Sequence, residues 1–166
     1  MSNSIPSVIL FFGIAGAGKS FAGRALAEGL AYHHYELDQD LTPAMRVAIA
    51  ENRPFTEEMR DEFFEVVVQR IRDVLREHPR TVFTQGVYKE RHRKFLRERV
   101  PGLESIWVTA PSPSILSRLL RRGDSVSAEY AALIERNFET PQDGLILPND
   151  DCSPADCCAR FLALFR

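Results

Sequence analysis

The sequence predicts a three-layer α/β/α fold on a five-stranded parallel sheet. Three observations carry that reading. Val8–Phe12 is a continuous apolar run rich in β-formers, the pattern of a strand buried on both faces. Further short apolar runs alternate along the chain with stretches of helical periodicity. A glycine-rich loop, Gly13–Ser20, joins the first strand directly to the first helix. The 166 residues suit one domain, 1–166. Folding at this size buries about 70% of the unfolded chain's surface, so no staple is needed.

The elements follow in order. A first helix is predicted from Lys19 to Leu30, with Ala22, Ala25, Leu26 and Leu30 on one face. His34–Leu37 reads as a short second strand. Met59, Phe63, Val67, Ile71, Val74 and Leu75 form an amphipathic stripe. It predicts a helix over about 56–77, with Thr56 as N-cap and Pro79 beyond its end. Thr81–Thr84 is the third strand, and Tyr88–Arg99 a basic helix with Phe95 and Leu96 inward. Ser105–Thr109 is the fourth strand. Ser112-Pro113 then opens a helix to about Arg121, serine as cap and proline at the first helical position. A helix over Ser127–Phe138 and a fifth strand over Leu145–Leu147 follow. Ser153-Pro154-Ala155-Asp156 is a capping signature for the last helix, where Cys158, Phe161, Leu162 and Phe165 form the apolar stripe.

Charge and composition exclude some functions. The net charge is −2, which offers no basic field for a nucleic-acid backbone. Cys152, Cys157 and Cys158 are an odd set with two adjacent, a poor disulfide framework. They suit a reducing compartment and core packing, and no Cys-x-x-Cys suggests zinc. The run Val8–Phe12 has no Lys or Arg before it, so it is not read as a secretion signal. No stretch approaches the ~20 apolar residues of a membrane-spanning helix. A cytoplasmic protein is expected.

Gly13-Ile14-Ala15-Gly16-Ala17-Gly18-Lys19-Ser20 fits the phosphate-binding pattern G-x-x-x-x-G-K-[ST], with the strand before it and helix after it that the pattern requires. Glycines let the backbone wrap a phosphate with its N–H groups, and the helix N-terminus faces the same anion. Lys19 supplies a charge to the β- and γ-phosphates, and Ser20 a hydroxyl for Mg²⁺. Gly13, Ala15, Gly16, Ala17, Gly18, Lys19, Ser20 and the adjoining Phe21 are thus assigned to the nucleotide.

The loop does not name the reaction. Many such proteins carry a Mg²⁺-binding Asp at the end of a second apolar strand. Here Thr81–Thr84 runs into Gln85 and Gly86. The nearest acids suitably placed are Asp38 and Asp40, after the second strand. Strand C-terminal ends line the ligand crevice of a parallel sheet. Asp38 there can hold Mg²⁺ through water, and Asp40 can orient or deprotonate a substrate hydroxyl. The bland alternative is a polar turn, with Asp40 or Thr42 capping a helix after Pro43.

Further segments extend the pattern. These are Asp38-Gln39-Asp40-Leu41-Thr42-Pro43, Arg53–Arg60 followed by Phe63, Gly86–Arg93, Arg118–Arg122 and Asn137–Thr140. In this order they resemble the gluconate kinase family, small ATP-dependent kinases of the nucleotide-kinase-like branch of phosphate-loop proteins. Shikimate kinases are the next relatives. The resemblance covers nearly the whole chain. It departs from the family at Thr42 for histidine, Gln85-Gly86 for a Cys-Ser-like pair and Asn137 for glutamine. The stretch Glu57-Glu58-Met59 is less aspartate-rich, and the lid lacks the expected histidine and aromatic. The glycine run of shikimate kinases is reduced to Gly86.

The resemblance implies ATP and Mg²⁺ as requirements and a short lid at about 122–138. It places Asp38 and Asp40 near metal and acceptor hydroxyl, and Arg60, Lys89 and Arg93 on the anionic end of the acceptor. Arg118 and Arg122 would border the lid beside the nucleotide. Catalysis is then expected from Lys19, Asp40 and Arg122, and metal binding from Ser20 and Asp38. Arg91, Arg97 and Arg99 read as a solvated face. The expected activity is transfer of the γ-phosphoryl of ATP to a hydroxyl of a small anionic metabolite, a sugar acid or similar. The alternatives are a shikimate or nucleotide kinase, or a nucleotide-binding regulator without turnover. A homodimer is left open.

Overall fold

The computed structural model describes residues 4–51, 53–121 and 136–166. Strand β1 (Val8–Phe12) is followed by helix α1 (Lys19–Leu30), β2 (His33–Glu36), a 3₁₀ turn (Leu37–Asp40), α2 (Pro43–Ala50) and α3 (Glu57–Glu77). Then come β3 (Thr81–Gln85), α4 (Glu90–Arg99), β4 (Leu103–Thr109), α5 (Ser112–Arg121), β5 (Leu145–Pro148) and α6 (Pro154–Ala163). The sheet is parallel throughout, in the order β2-β3-β1-β4-β5.

β1 is central, and its alternate side chains enter two separate cores. Leu10 and Phe12 join Phe83 of β3 beneath Met45 of α2, Phe63, Phe64, Val67 and Ile71 of α3, and Leu96 of α4. Ile9 and Phe11 join Val82, Ile106, Val108 and Leu147 against Ala22, Ala25 and Leu26 of α1 and Cys157 and Phe161 of α6. Burial on both faces is what the unbroken apolar run required. Each fully buried Leu, Ile or Phe contributes about 1.5–3 kcal/mol. Because every strand runs the same way, Phe12, Glu36, Gln85, Thr109 and Pro148 end along one edge of the sheet. The crevice lies there.

Several boundaries differ from the sequence reading. β2 starts and ends one residue earlier than read, because buried Leu37 opens the 3₁₀ turn that carries Asp38 and Asp40. The helix after Pro43 exists as α2, and Thr42 caps it by accepting the Met45 N–H at 3.3 Å. Thr56 caps α3 in the same way from Met59 N–H at 3.2 Å. α4 begins at Glu90 rather than Tyr88, since Lys89 is extended and the Tyr88 carbonyl accepts the Glu139 N–H at 2.8 Å. Its buried side is His92, Arg93 and Leu96, with Phe95 only half-buried. On α6 the capping box of Ser153 and Asp156 is complete, and the inward pair is Cys157 and Phe161. Cys158 is half-buried and donates to the Ala25 carbonyl at 3.2 Å, so the predicted stripe is displaced by one at its first position. Most of the predicted Ser127–Phe138 helix, most of the lid and Arg122 lie outside the described residues.

Candidate active site

Gly13 leaves β1 so close to β4 that a Cβ on it would lie 2.6 Å from the Val108 carbonyl oxygen. Gly18 sits at φ 92° as the N-cap of α1, a left-handed position that favours glycine. Among the described residues no side chain caps this helix, so its first-turn N–H groups remain available at the mouth of the loop. That is the arrangement an anion needs. Lys19 Nζ donates to the Ile14 carbonyl at 2.9 Å, which holds the ammonium over the loop. Ser20 lies half-buried in the same first turn of α1.

The loop's carbonyls are held from outside. Arg118 donates to the Gly16 carbonyl at 3.0 Å. Buried Asn149, just beyond β5, donates to the carbonyls of Ala17 at 3.1 Å and Gly18 at 3.4 Å. Arg118 also reaches the Asn149 carbonyl at 3.0 Å and Asp151 at 2.8 Å, which ties α5, β5 and the loop together. The Ala17 N–H closes a turn onto the Ile14 carbonyl at 3.3 Å, so of the three peptides held by their carbonyls those ending in the Gly18 and Lys19 N–H groups are the ones that can face a phosphate. Gly18, Phe21, Arg118, Asn149 and Cys152 line a cavity of about 370 Å³ beside the loop.

Across the crevice, Asp38 and Asp40 differ sharply. Asp38 is exposed and takes part in no hydrogen bond or ion pair among the described residues. Asp40 has a side chain only 7% exposed. One of its oxygens accepts from Tyr35 Oη at 2.9 Å, the other from Arg70 Nε at 2.8 Å. Burial first, and then the Asp40 carboxylate, push the Tyr35 hydroxyl pKa up, so it stays a donor. Asp40 is therefore an ionisable group held in one orientation.

The three cations expected at the acceptor end are placed unequally. Arg60, at the start of α3, is 25% exposed in its side chain; it lies 3.8 Å from Glu57 and over the Phe55 ring at 5.7 Å. Lys89 pairs with Glu139 at 3.3 Å. Arg93 is buried, and its donors are largely used within the protein. They reach Glu90 at 2.7 Å, the carbonyls of Val87 at 3.0 Å and Tyr88 at 3.4 Å, and the Glu139 carbonyl at 2.6 Å. Its guanidinium also lies over Phe12 and Phe138 at 5.1 and 5.5 Å. As placed, Arg93 ties the 87–90 segment to Glu139 rather than offering an open cation. Arg91 is more than a solvated charge, since it pairs with Glu57 and Asp61 and clasps α4 to α3.

Residues 15–139 match the model of the shikimate kinase family. The chain belongs to the shikimate kinase family. A shikimate kinase of Rhizobium meliloti (strain 1021) is 28% identical over 116 residues, which is 69% of this chain and 58% of that protein. The chain thus spans less than two thirds of that relative. A gluconokinase from Sinorhizobium meliloti 1021 superposes with a TM-score of 0.78 at 22% identity, covering 97% of this chain and 92% of the other. A sugar kinase from Janibacter sp. HTCC2649 gives 0.78 at 19% identity, covering 96% and 94%. These likenesses agree in fold: a phosphate-loop kinase architecture with a five-stranded parallel sheet.

In this shikimate kinase family member, sequence reasoning missed Asn149, Asp151, Tyr35, Arg70 and Glu139. Asn149 acts on the loop from 131 residues away. Arg70 reaches Asp40 from 30 residues along the chain, and on α3 nothing local separates it from the other exposed arginines. Asn149 had one available signal, a polar residue directly after a strand end.

Proposed function

We propose that this chain transfers the γ-phosphoryl group of ATP to a hydroxyl of a small, anionic, polyhydroxylated acceptor such as a sugar acid. The observation that carries this reading is one crevice edge with an uncapped, lysine-bearing phosphate loop on one side and a fixed carboxylate, Asp40, on the other. Phosphoryl transfer is mostly positioning and charge neutralisation, which such a pair supplies.

Loop N–H groups and Lys19 bind and orient the triphosphate, while Phe21 and Arg118 border the nucleotide's cavity. Asp40 accepts the acceptor's hydroxyl hydrogen and aims the oxygen at the γ-phosphorus. Arg60 and Lys89 hold the acceptor's anionic end. For Mg²⁺ the donor set fits: the ion takes one or two carboxylates and keeps waters and substrate phosphates, so no all-protein cage is needed. Asp38, exposed and unpaired, and the Ser20 hydroxyl would hold it. Bound there, Mg²⁺ would neutralise charge on the β- and γ-phosphates. Arg122 completes the proposal as a cation bordering the nucleotide from the lid.

The test is ATP consumption by the wild-type chain and Lys19→Ala across gluconate, other sugar acids, neutral polyols, shikimate and nucleoside monophosphates. Acid-dependent consumption, lowered on the order of 10²–10³ by Lys19→Ala, is expected. Preference for a nucleoside monophosphate makes it a nucleotide kinase. Tight ATP binding with no turnover on any acceptor makes it a regulator.

A further inference from the structure

Gln85 closes β3 at the crevice edge and is 6% exposed. Its Oε1 accepts the Gly86 N–H at 2.6 Å. That bond fixes which way the carboxamide faces, because turning it over would set two donors against each other. Nε2 is therefore the end of the amide left over, and it is buried with no hydrogen-bond partner among the described residues. Buried donors are nearly always paired, so a bare one at a strand's ligand-facing end needs a reason.

The surroundings narrow what could pair with it. Strand alternation puts Gln85 on the face of Phe83, beneath α2 and α3, whereas α1 covers the opposite face. The acceptor-side residues Arg60 and Lys89 come from elements on the Gln85 face. Its strand partner is Phe12, the last residue before the phosphate loop. Phe12 and Trp107 each stack with Phe138, at 6.4 and 5.8 Å, and Tyr88 meets Phe138 edge-on at 6.0 Å. Nε2 only donates, and Oε1 is occupied, so Gln85 offers nothing to a cation. What suits it is an oxygen lone pair on a molecule whose carbon skeleton can lie against aromatic rings.

We propose that the Gln85 carboxamide is a specificity-determining donor to an oxygen of the acceptor, selecting a polyhydroxylated acid over skeletons with no oxygen at that point. This inference rests on the kinase reading above. It also gives a use to the Gln85-Gly86 pair, a point where the chain departs from gluconate kinases.

Two variants of the full chain test it, with gluconate and shikimate as probe acceptors. Gln85→Leu removes the donor at similar volume. Gln85→Glu keeps the bond from the Gly86 N–H but turns the donor into an acceptor. For whichever acid the wild type phosphorylates, acceptor kcat/KM is expected to fall about ten- to a hundredfold in both variants, with ATP KM within about twofold of wild type. Unchanged acceptor kcat/KM in both variants, with the wild type active, overturns this inference alone. A matching rise in ATP KM also overturns it and moves Gln85 to the phosphates. A wild type with no acid-dependent ATP consumption overturns the kinase reading itself, and does so before any variant is assayed.

Discussion

The side-chain amide of Asn149 donates to the Ala17 carbonyl at 3.1 Å, so a residue from beyond the outermost strand holds the phosphate loop in shape. The fit is tight: a Cβ on Gly18 would lie 1.8 Å from Asn149 Nδ2. Asn149→Ala should free the carbonyls of Ala17 and Gly18 and loosen the loop. Leaving buried polar groups unpaired costs about 1–3 kcal/mol, or roughly ten- to a hundredfold in ATP affinity. Nucleotide titration by calorimetry checks this, and wild-type affinity would remove Asn149 from the loop's support.

Asp38 and Asp40 should fail differently when made neutral. Asp38→Asn should raise the Mg²⁺ needed for half-maximal rate, since the open carboxylate is lost. Asp40→Asn should lower turnover even at saturating Mg²⁺. Arg70→Met should mimic Asp40→Asn in turnover by freeing the carboxylate's orientation. It should also cost about 1–3 kcal/mol of stability, because Asp40, whose side chain is 7% exposed, loses one of its two partners. Identical Mg²⁺ titrations for the two asparagine variants would end the division of labour.

Arg60 and Arg93 separate binding from architecture. Arg60→Ala should raise the acceptor's KM about ten- to a hundredfold with Tm unchanged. Arg93→Met should destabilise the fold by about 1–3 kcal/mol, because the carbonyls of Val87 and Glu139 lose a buried donor. Acceptor kinetics read the first, and chemical denaturation compares the stability of both variants. An Arg93→Met protein as stable as wild type would return that residue to the open cations.

Sequence legibility followed the range of the interactions. α1 and α3, with its Thr56 cap, are signalled by residues three or four apart, and their bounds were read within a residue of the structure. The phosphate loop is equally local, since one stretch holds its glycines, lysine and serine. The failures come where distant segments decide. α4 starts late because Glu139 claims the Tyr88 carbonyl. Arg93 looks like a free cation in a basic run, yet contacts with Phe12, Phe138 and Glu139 draw it inside.

Three histidines make stability fall with acid. Burial holds the imidazoles of His33, His34 and His92 below their ordinary pKa of 6.5. For His92 the Asp61 hydrogen bond opposes burial without overcoming it. Each ring binds a proton more readily unfolded than folded. Their contribution is thus complete above the unfolded value and is lost as pH drops through the lowered folded values. Tm should decline between about pH 7 and 5, and His34→Gln, which can keep a bond to Thr84, should flatten part of that slope. A pH-independent Tm over that range would refute the assignment.

Helix α6 carries Phe161 against Phe11 and Tyr32, with ring centroids at 6.3 and 6.1 Å, and so closes the core on which α1 lies. A nascent chain still ending near residue 150 has made β1, the phosphate loop and α1 without the lid of that core. Phe11 and Tyr32 would lack the Phe161 ring at that stage. Domains generally fold as units during synthesis. Here the half that carries the phosphate loop is translated first, yet the core beneath it is completed only once Phe161 has been made.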